Sequence, residues 1–135
     1  MIPDAPDRAA PVRAAHVVVV LRRDGAVLVA KGADGLGLPH GPAAAGERAG
    51  EAALRVLHER CGVLARAPRP RGRVPGLGWA VVEVGCGPLP DAWQHHASGA
   101  AGEGTASMAW HPLDAPARGF PAPMRRVLAV VERLR

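Results

Sequence analysis

Between Gly41 and Val63 the chain reads GPAAAGERAGEAALRVLHERCGV, a Gly-rich turn followed by an amphipathic run. Such a run could gather phosphate in two ways. Carboxylates on neighbouring turns of one helix can hold a hard divalent cation through oxygen, and a guanidinium fork can meet phosphate oxygens directly. At about 100° per residue, Glu47, Glu51, Arg55 and His58 share one side of a helix. Ala53, Leu54, Leu57 and Cys61 take the opposite side and are expected to pack on a sheet. Val56, Glu59 and Arg60 lie on the flank between these faces. That flank offers one aliphatic, one acid and one cation. The Arg60 charge repels a divalent ion and suits phosphate contact itself. Glu47 and Arg55 stand too far apart along a helix to pair, so Glu51 is expected to pair with Arg55 across one turn.

Other chemistry-bearing residues lie outside this run. His95 and His96 sit in PDAWQHHASG. Neighbouring residues rarely aim at one metal, but imidazoles can contact substrate or move protons near neutral pH. Trp93 in the same stretch is placed to stack a nucleobase, while Trp79 and Trp110 are expected to serve the core. His40 and His58 are further candidates. Cys61 and Cys86 have no metal-like spacing.

The segment resembles the signature of the Nudix hydrolases, G-x5-E-x7-R-E-U-x-E-E-x-G-U with U aliphatic. Gly41, Glu47, Arg55, Leu57, Glu59, Gly62 and Val63 match it without an insertion. The LPHG before it, and PLPDAWQHHASG followed by MAWHPLD after it, extend the likeness over most of the chain. Two signature acids are replaced, by Val56 and Arg60. The resemblance implies a pyrophosphohydrolase using Mg2+ or Mn2+. Glu59 and Arg55 would then be catalytic, with Glu59, Glu47 and Glu103 holding metal. Arg60, His95, His96 and Trp93 would bind substrate, and Gly41, Leu57 and Gly62 would keep the motif's shape. The lost acids leave two readings open. One is a weakened hydrolase acting on a nucleoside-diphosphate-type compound. The other is a non-catalytic module that binds a nucleotide or phosphorylated metabolite. The family also includes many homodimers.

The elements that must position these groups follow from local patterns. AHVVVVLRR (15–23) is a β-branched strand, Asp24-Gly25 a hairpin turn, and AVLVAKG (26–32) the returning strand. Residues 33–46 read as a loop, 47–61 as a helix stopped by Gly62, and 63–75 as a Pro/Arg loop. GWAVVEVGC (78–86) and TASMAWHPL (105–113) read as strands, joined by a long loop over 87–104. A last helix opens at Pro123, with Val127, Leu128, Val131 and Leu134 on one face. This order predicts an α/β fold, a Nudix-like α/β/α sandwich with a mixed β-sheet between helices.

The length of 135 residues suits a flexible N-terminal arm at 1–13 and a single domain over 14–135. With one Phe and no Tyr, the core must be built from Ala, Val and Leu. The seventeen basic residues are all arginine save Lys31, giving a net charge of +5. The densest cluster, ARAPRPRGR, alternates with proline, so it reads as an exposed loop and not as a groove-reading helix. Nucleic acid is therefore not the expected partner; a small nucleotide or pyrophosphate compound is. HVVVVL is too short to span a membrane. No secretory signal is visible, and a reduced cytoplasmic protein is expected.

Overall fold

The computed structural model describes residues 15–33, 35–97 and 104–134; the arm at 1–13 and Glu103 lie outside them. Strand β1 (His16–Arg23) turns through Asp24 and Gly25, both at positive φ, into β2 (Ala26–Gly32). Short strands β3 (Gly35–Gly37) and β4 (His40–Pro42) lead to helix α1 (Ala49–Cys61). Strands β5 (Arg66–Arg73), β6 (Ala80–Gly85), β7 (Trp93–Ala97) and β8 (Gly104–Pro112) follow, and helix α2 (Ala122–Arg133) closes the order. The main sheet runs β5-β6-β1-β2-β8-β7, with β3 added to β2 and β4 added to β1. Among the described residues only the β1–β6 pair is parallel, so the sheet is mixed.

The continuous apolar run of β1 is explained by burial on both faces. Val17, Val19 and Leu21 face α1, where Ala49, Ala52, Ala53, Val56, Leu57 and Cys61 complete one core. Val18 and Val20 face the other way and meet Met124, Val127, Leu128 and Val131 of α2. The expected α/β/α sandwich is therefore the fold.

All three expected loops hold strands, and the 33–46 stretch carries β3 and β4, each set by pairing with β2 or β1. Residues 66–73 form the edge strand β5 against β6, although Pro68 and Pro70 interrupt its donors. An edge strand needs donors on one side only, so proline is tolerated there. The cost appears as register shifts between Arg66 and Arg69 and between Pro70 and Arg73. Likewise, Trp93–Ala97 inside the expected 87–104 loop is β7, the opposite edge, paired with β8.

The sheet also opens in its middle. β1 pairs with β2 only through Arg22 and Arg23, while its first half pairs with β4. The far half of β2 pairs with β3 instead, while β8 runs along nearly the whole of its other edge. β3 and β4 lie in this divergence, and the candidate site borders them.

Candidate functional site

Helix α1 begins two residues later than expected, and this changes its chemistry. Arg48 is the N-cap, and its backbone N–H donates to Glu51 Oε1 at 2.9 Å. Glu51 is thus a capping residue and not the partner of Arg55. Glu47 lies before the helix, where its carboxylate accepts from the Ala44 backbone N–H at 2.8 Å. It is free to fold back along the helix. Arg55 Nε reaches Glu47 Oε2 at 2.8 Å and Arg55 Nη2 reaches Oε1 at 2.9 Å, a two-pronged pair. The expectation that Glu47 and Arg55 cannot pair is therefore overturned, because it assumed that both lie on the helix. Arg55 also donates to Glu59 Oε1 at 3.0 Å and to the Pro42 carbonyl at 2.8 Å. The hydrogen bond from Arg55 holds the Glu47 carboxyl below the usual glutamate range, and Glu47 in turn raises the Arg55 guanidinium.

Val56 is fully buried in the core under α1 and does not sit on the flank with Glu59 and Arg60. The helix packs against edge strands β5 and β7 as well as the central strands, so its apolar face is wider than a simple wheel suggests. Leu57 is buried beside Val56, and Gly41 is buried in β4. Gly62 ends the helix at φ +73°, its N–H bonded to His58 O at 2.9 Å. A Cβ at Gly62 would stand 2.8 Å from His95 Nδ1, so the missing side chain lets β7 close on the helix end.

Strand β7 separates the two histidines. Adjacent strand residues point to opposite faces. His95 is half-buried against Gly62, while His96 is exposed, with Nδ1 3.4 Å from Thr105 Oγ1. Trp93 is docked and not splayed out: its indole N–H donates to Cys61 O at 2.9 Å, and it packs on the α1 core. Both cysteines are free, and burial pushes the Cys61 thiol up to about 12.

Arg60 points to different surroundings from Arg55. It edges a pocket of about 330 Å³ beside β3 and the start of β4, walled also by β2, β8 and the first turn of α2. Leu36, Leu38, Trp79 and Met124 supply apolar walls, and His40 and Arg60 supply the basic side. Gly37 lets Met124 close in, since a Cβ there would lie 2.7 Å from Met124 Cγ. Behind His40 stands His16, a residue with no sequence signal. Its Nε2 lies 2.7 Å from His40 Nδ1, and both rings pack on Trp79, at centroid distances of 4.2 and 5.0 Å. Burial, and then the charge of Arg60, lower the affinity of His16 for a proton. The pairing of β1 with β4 brings His16 and His40 together, Val18 standing opposite His40.

These surroundings bear on a divalent metal. Among the described residues no three His, Cys, Asp or Glu side chains are grouped to hold one. Glu47 and Glu59 are both engaged by Arg55, and the two replaced acids are a core valine and a cation. The described residues alone supply no such set, and Glu103 lies outside them.

Several solved structures of similar fold are Nudix hydrolases. A MutT Nudix hydrolase from Burkholderia pseudomallei matches with a TM-score of 0.54 at 20% identity, over 86% of this chain and 95% of that one. An ADP compounds hydrolase matches with a TM-score of 0.62 at 18% identity, over 92% and 74%. An ADP-ribose pyrophosphatase from Streptococcus suis matches with a TM-score of 0.57 at 15% identity, over 87% and 90%. No family model matches the sequence, and no curated protein does.

Proposed function

We propose that this chain, built on the Nudix fold, binds a nucleoside-diphosphate-type compound, and that any cleavage of its pyrophosphate linkage is weak. The phosphates would lie against Arg60 and the organic part would enter the pocket of Leu36, Leu38, Trp79 and Met124. The observation that carries this reading is that Arg60, standing where the signature has an acid, edges an apolar pocket of about 330 Å³. Small-molecule sites are commonly such pockets with a few placed polar groups. The names of the fold neighbours, among them a UDP-X diphosphatase and an ADP-ribose pyrophosphatase, suggest the ligand class. Binding through Arg60 needs no metal.

Metal-dependent hydrolysis is the second reading, favoured by Glu59, which keeps its signature position on α1. It would use Mg2+ or Mn2+ with Glu59, Glu47 and Glu103 as ligands, and Arg55 as their brace. His95 and His96 remain candidates for substrate contact in either reading, whereas the bond from Trp93 to the helix end favours a packing role for that residue. Among the described residues no helix is long and apolar enough to cross a membrane. Two free cysteines agree with the cytoplasmic location that we also propose.

Calorimetric titration with ADP-ribose, with and without Mg2+, separates the two readings. Binding without metal that Arg60→Ala weakens about tenfold or more supports the first, since charge-assisted bonds carry roughly 1.5–3 kcal/mol. Binding and cleavage that both require Mg2+ and vanish in Glu59→Gln would replace it with the second.

A further inference from the structure

Two imidazoles whose nitrogens face each other at 2.7 Å must share a hydrogen bond, His16 Nε2 to His40 Nδ1. One nitrogen donates and the other accepts, so both facing nitrogens cannot carry protons. The neutral pair can still take one more proton on an outer nitrogen. The shared bond then becomes charge-assisted and survives. A second proton would break it. The pair is thus built to accept a single proton.

The surroundings oppose that proton in the free protein and would favour it in a complex. His16 is half-buried, and the charge of Arg60 on α1 bears on it. Trp79 lies against both rings, nearly parallel to His40 at 19°. An indole face attracts a cation, so the proton has one favourable neighbour already. An anion seated against Arg60 would offset the guanidinium charge and add its own attraction.

We propose that His16 and His40 are a proton-accepting part of the ligand site, taking up one proton from solvent when a phosphate-bearing ligand seats against Arg60. The pair then changes from a neutral wall into a cationic contact, which selects anionic over neutral ligands of the same shape. This rests on the proposed ligand site at Arg60. The sign follows from linkage: a ligand that raises a group's affinity for protons binds more tightly as pH falls. The gain begins where the liganded pair protonates and levels off where the free pair does.

The test uses the whole chain with ADP-ribose, whose diphosphate does not titrate in the histidine range. Calorimetry in buffers of different ionisation heat counts the protons taken up, and NMR titration of the imidazole nitrogens names the residues. Affinity is expected to rise by up to about tenfold per pH unit through the window. The imidazole signals of His16 and His40 should titrate at higher pH in the complex than in the free protein. His16→Gln should bind ADP-ribose with a flatter pH dependence, and the NMR readout on the unaltered chain does not depend on that variant folding. Binding without proton uptake, or a pH dependence that survives His16→Gln, overturns the proposal and leaves the ligand site standing. Absence of any ADP-ribose binding overturns both.

Discussion

Two charge centres of this molecule are near mirror images. At one, the Arg55 guanidinium stands between the carboxylates of Glu47 and Glu59. At the other, the Glu83 carboxylate receives Arg71 at 2.6 Å and Arg22 at 3.1 Å, with Arg69 at 3.7 Å. Both centres are mostly shielded, and both tie separate segments together. Arg55 joins the loop before α1 to the helix. Glu83 joins β6 to β5 and β1, and Arg22 also donates to carbonyls of Val131 and Leu134 at the end of α2. The first centre lies in the signature motif and the second does not, yet each is a brace. The acids of α1 are committed to scaffold, while the cation that edges the pocket is Arg60. A motif's acids therefore have to be judged by what already holds them.

The largest break in this comparison comes from restoring a signature acid. Val56→Glu would place a carboxylate at a position with no exposure, among Val17, Leu57 and other apolar groups of the α1 core. A buried charge without a partner is among the few single changes that cost about 4 kcal/mol. Urea denaturation should therefore show a large loss of stability and no gain in Mg2+ affinity. A stable variant with tighter Mg2+ binding would mean that α1 turns this position toward the site.

Arg55→Ala comes next, with an expected cost of about 2–3 kcal/mol near neutral pH, because it strands two partly buried carboxylates. The pH dependence sharpens the contrast. The Glu47 carboxyl is held below its ordinary range by Arg55, so the stability it contributes is present above that range. It is lost as pH falls through the folded-state value. The cost of Arg55→Ala should shrink correspondingly in acid, as denaturation at a series of pH values can check. A cost that stays constant would place the role of Arg55 in its bond to the Pro42 carbonyl instead.

Much of this fold is legible in local pattern. The continuous β1 run is buried on both faces, Asp24-Gly25 makes the turn after it, and the periodic apolar stripe of α2 is buried at Val127, Leu128 and Val131. The edge strands β5 and β7 escaped, since each is set by a partner strand and carries no clean alternation of its own. The site was legible as spacing but not as geometry. Glu47 lies just outside the helix, and a helical wheel carries it round to the wrong place. Val56 is buried because β5 and β7 widen the face that α1 must cover. His16 gave no sign at all. A lone histidine at a strand start acquires meaning only when β4 brings His40 beside it.

The smallest expected effect tests the second brace. Glu83→Gln keeps the shape but removes the charge and one acceptor. Arg71 and Arg22 bond to different carboxylate oxygens, so only one of them keeps an oxygen to bond and the other meets the amide NH2. The expected cost is about 1–2 kcal/mol, from one charge-assisted bond made neutral and one lost at a partly exposed arginine. Arg69, with 66% of its side chain exposed, should matter less still: Arg69→Ala is expected to change stability by under about 0.5 kcal/mol. The loss should be local before it is global, because β5 is an edge strand already interrupted by two prolines. Hydrogen exchange at the amides of β5 should quicken in Glu83→Gln while the amides of β1 stay protected. A cost equal to that of Arg55→Ala would make the two centres equivalent in energy. Faster exchange in β1 as well would show that Glu83 and Arg22 hold the central sheet to α2, and not the edge strand alone.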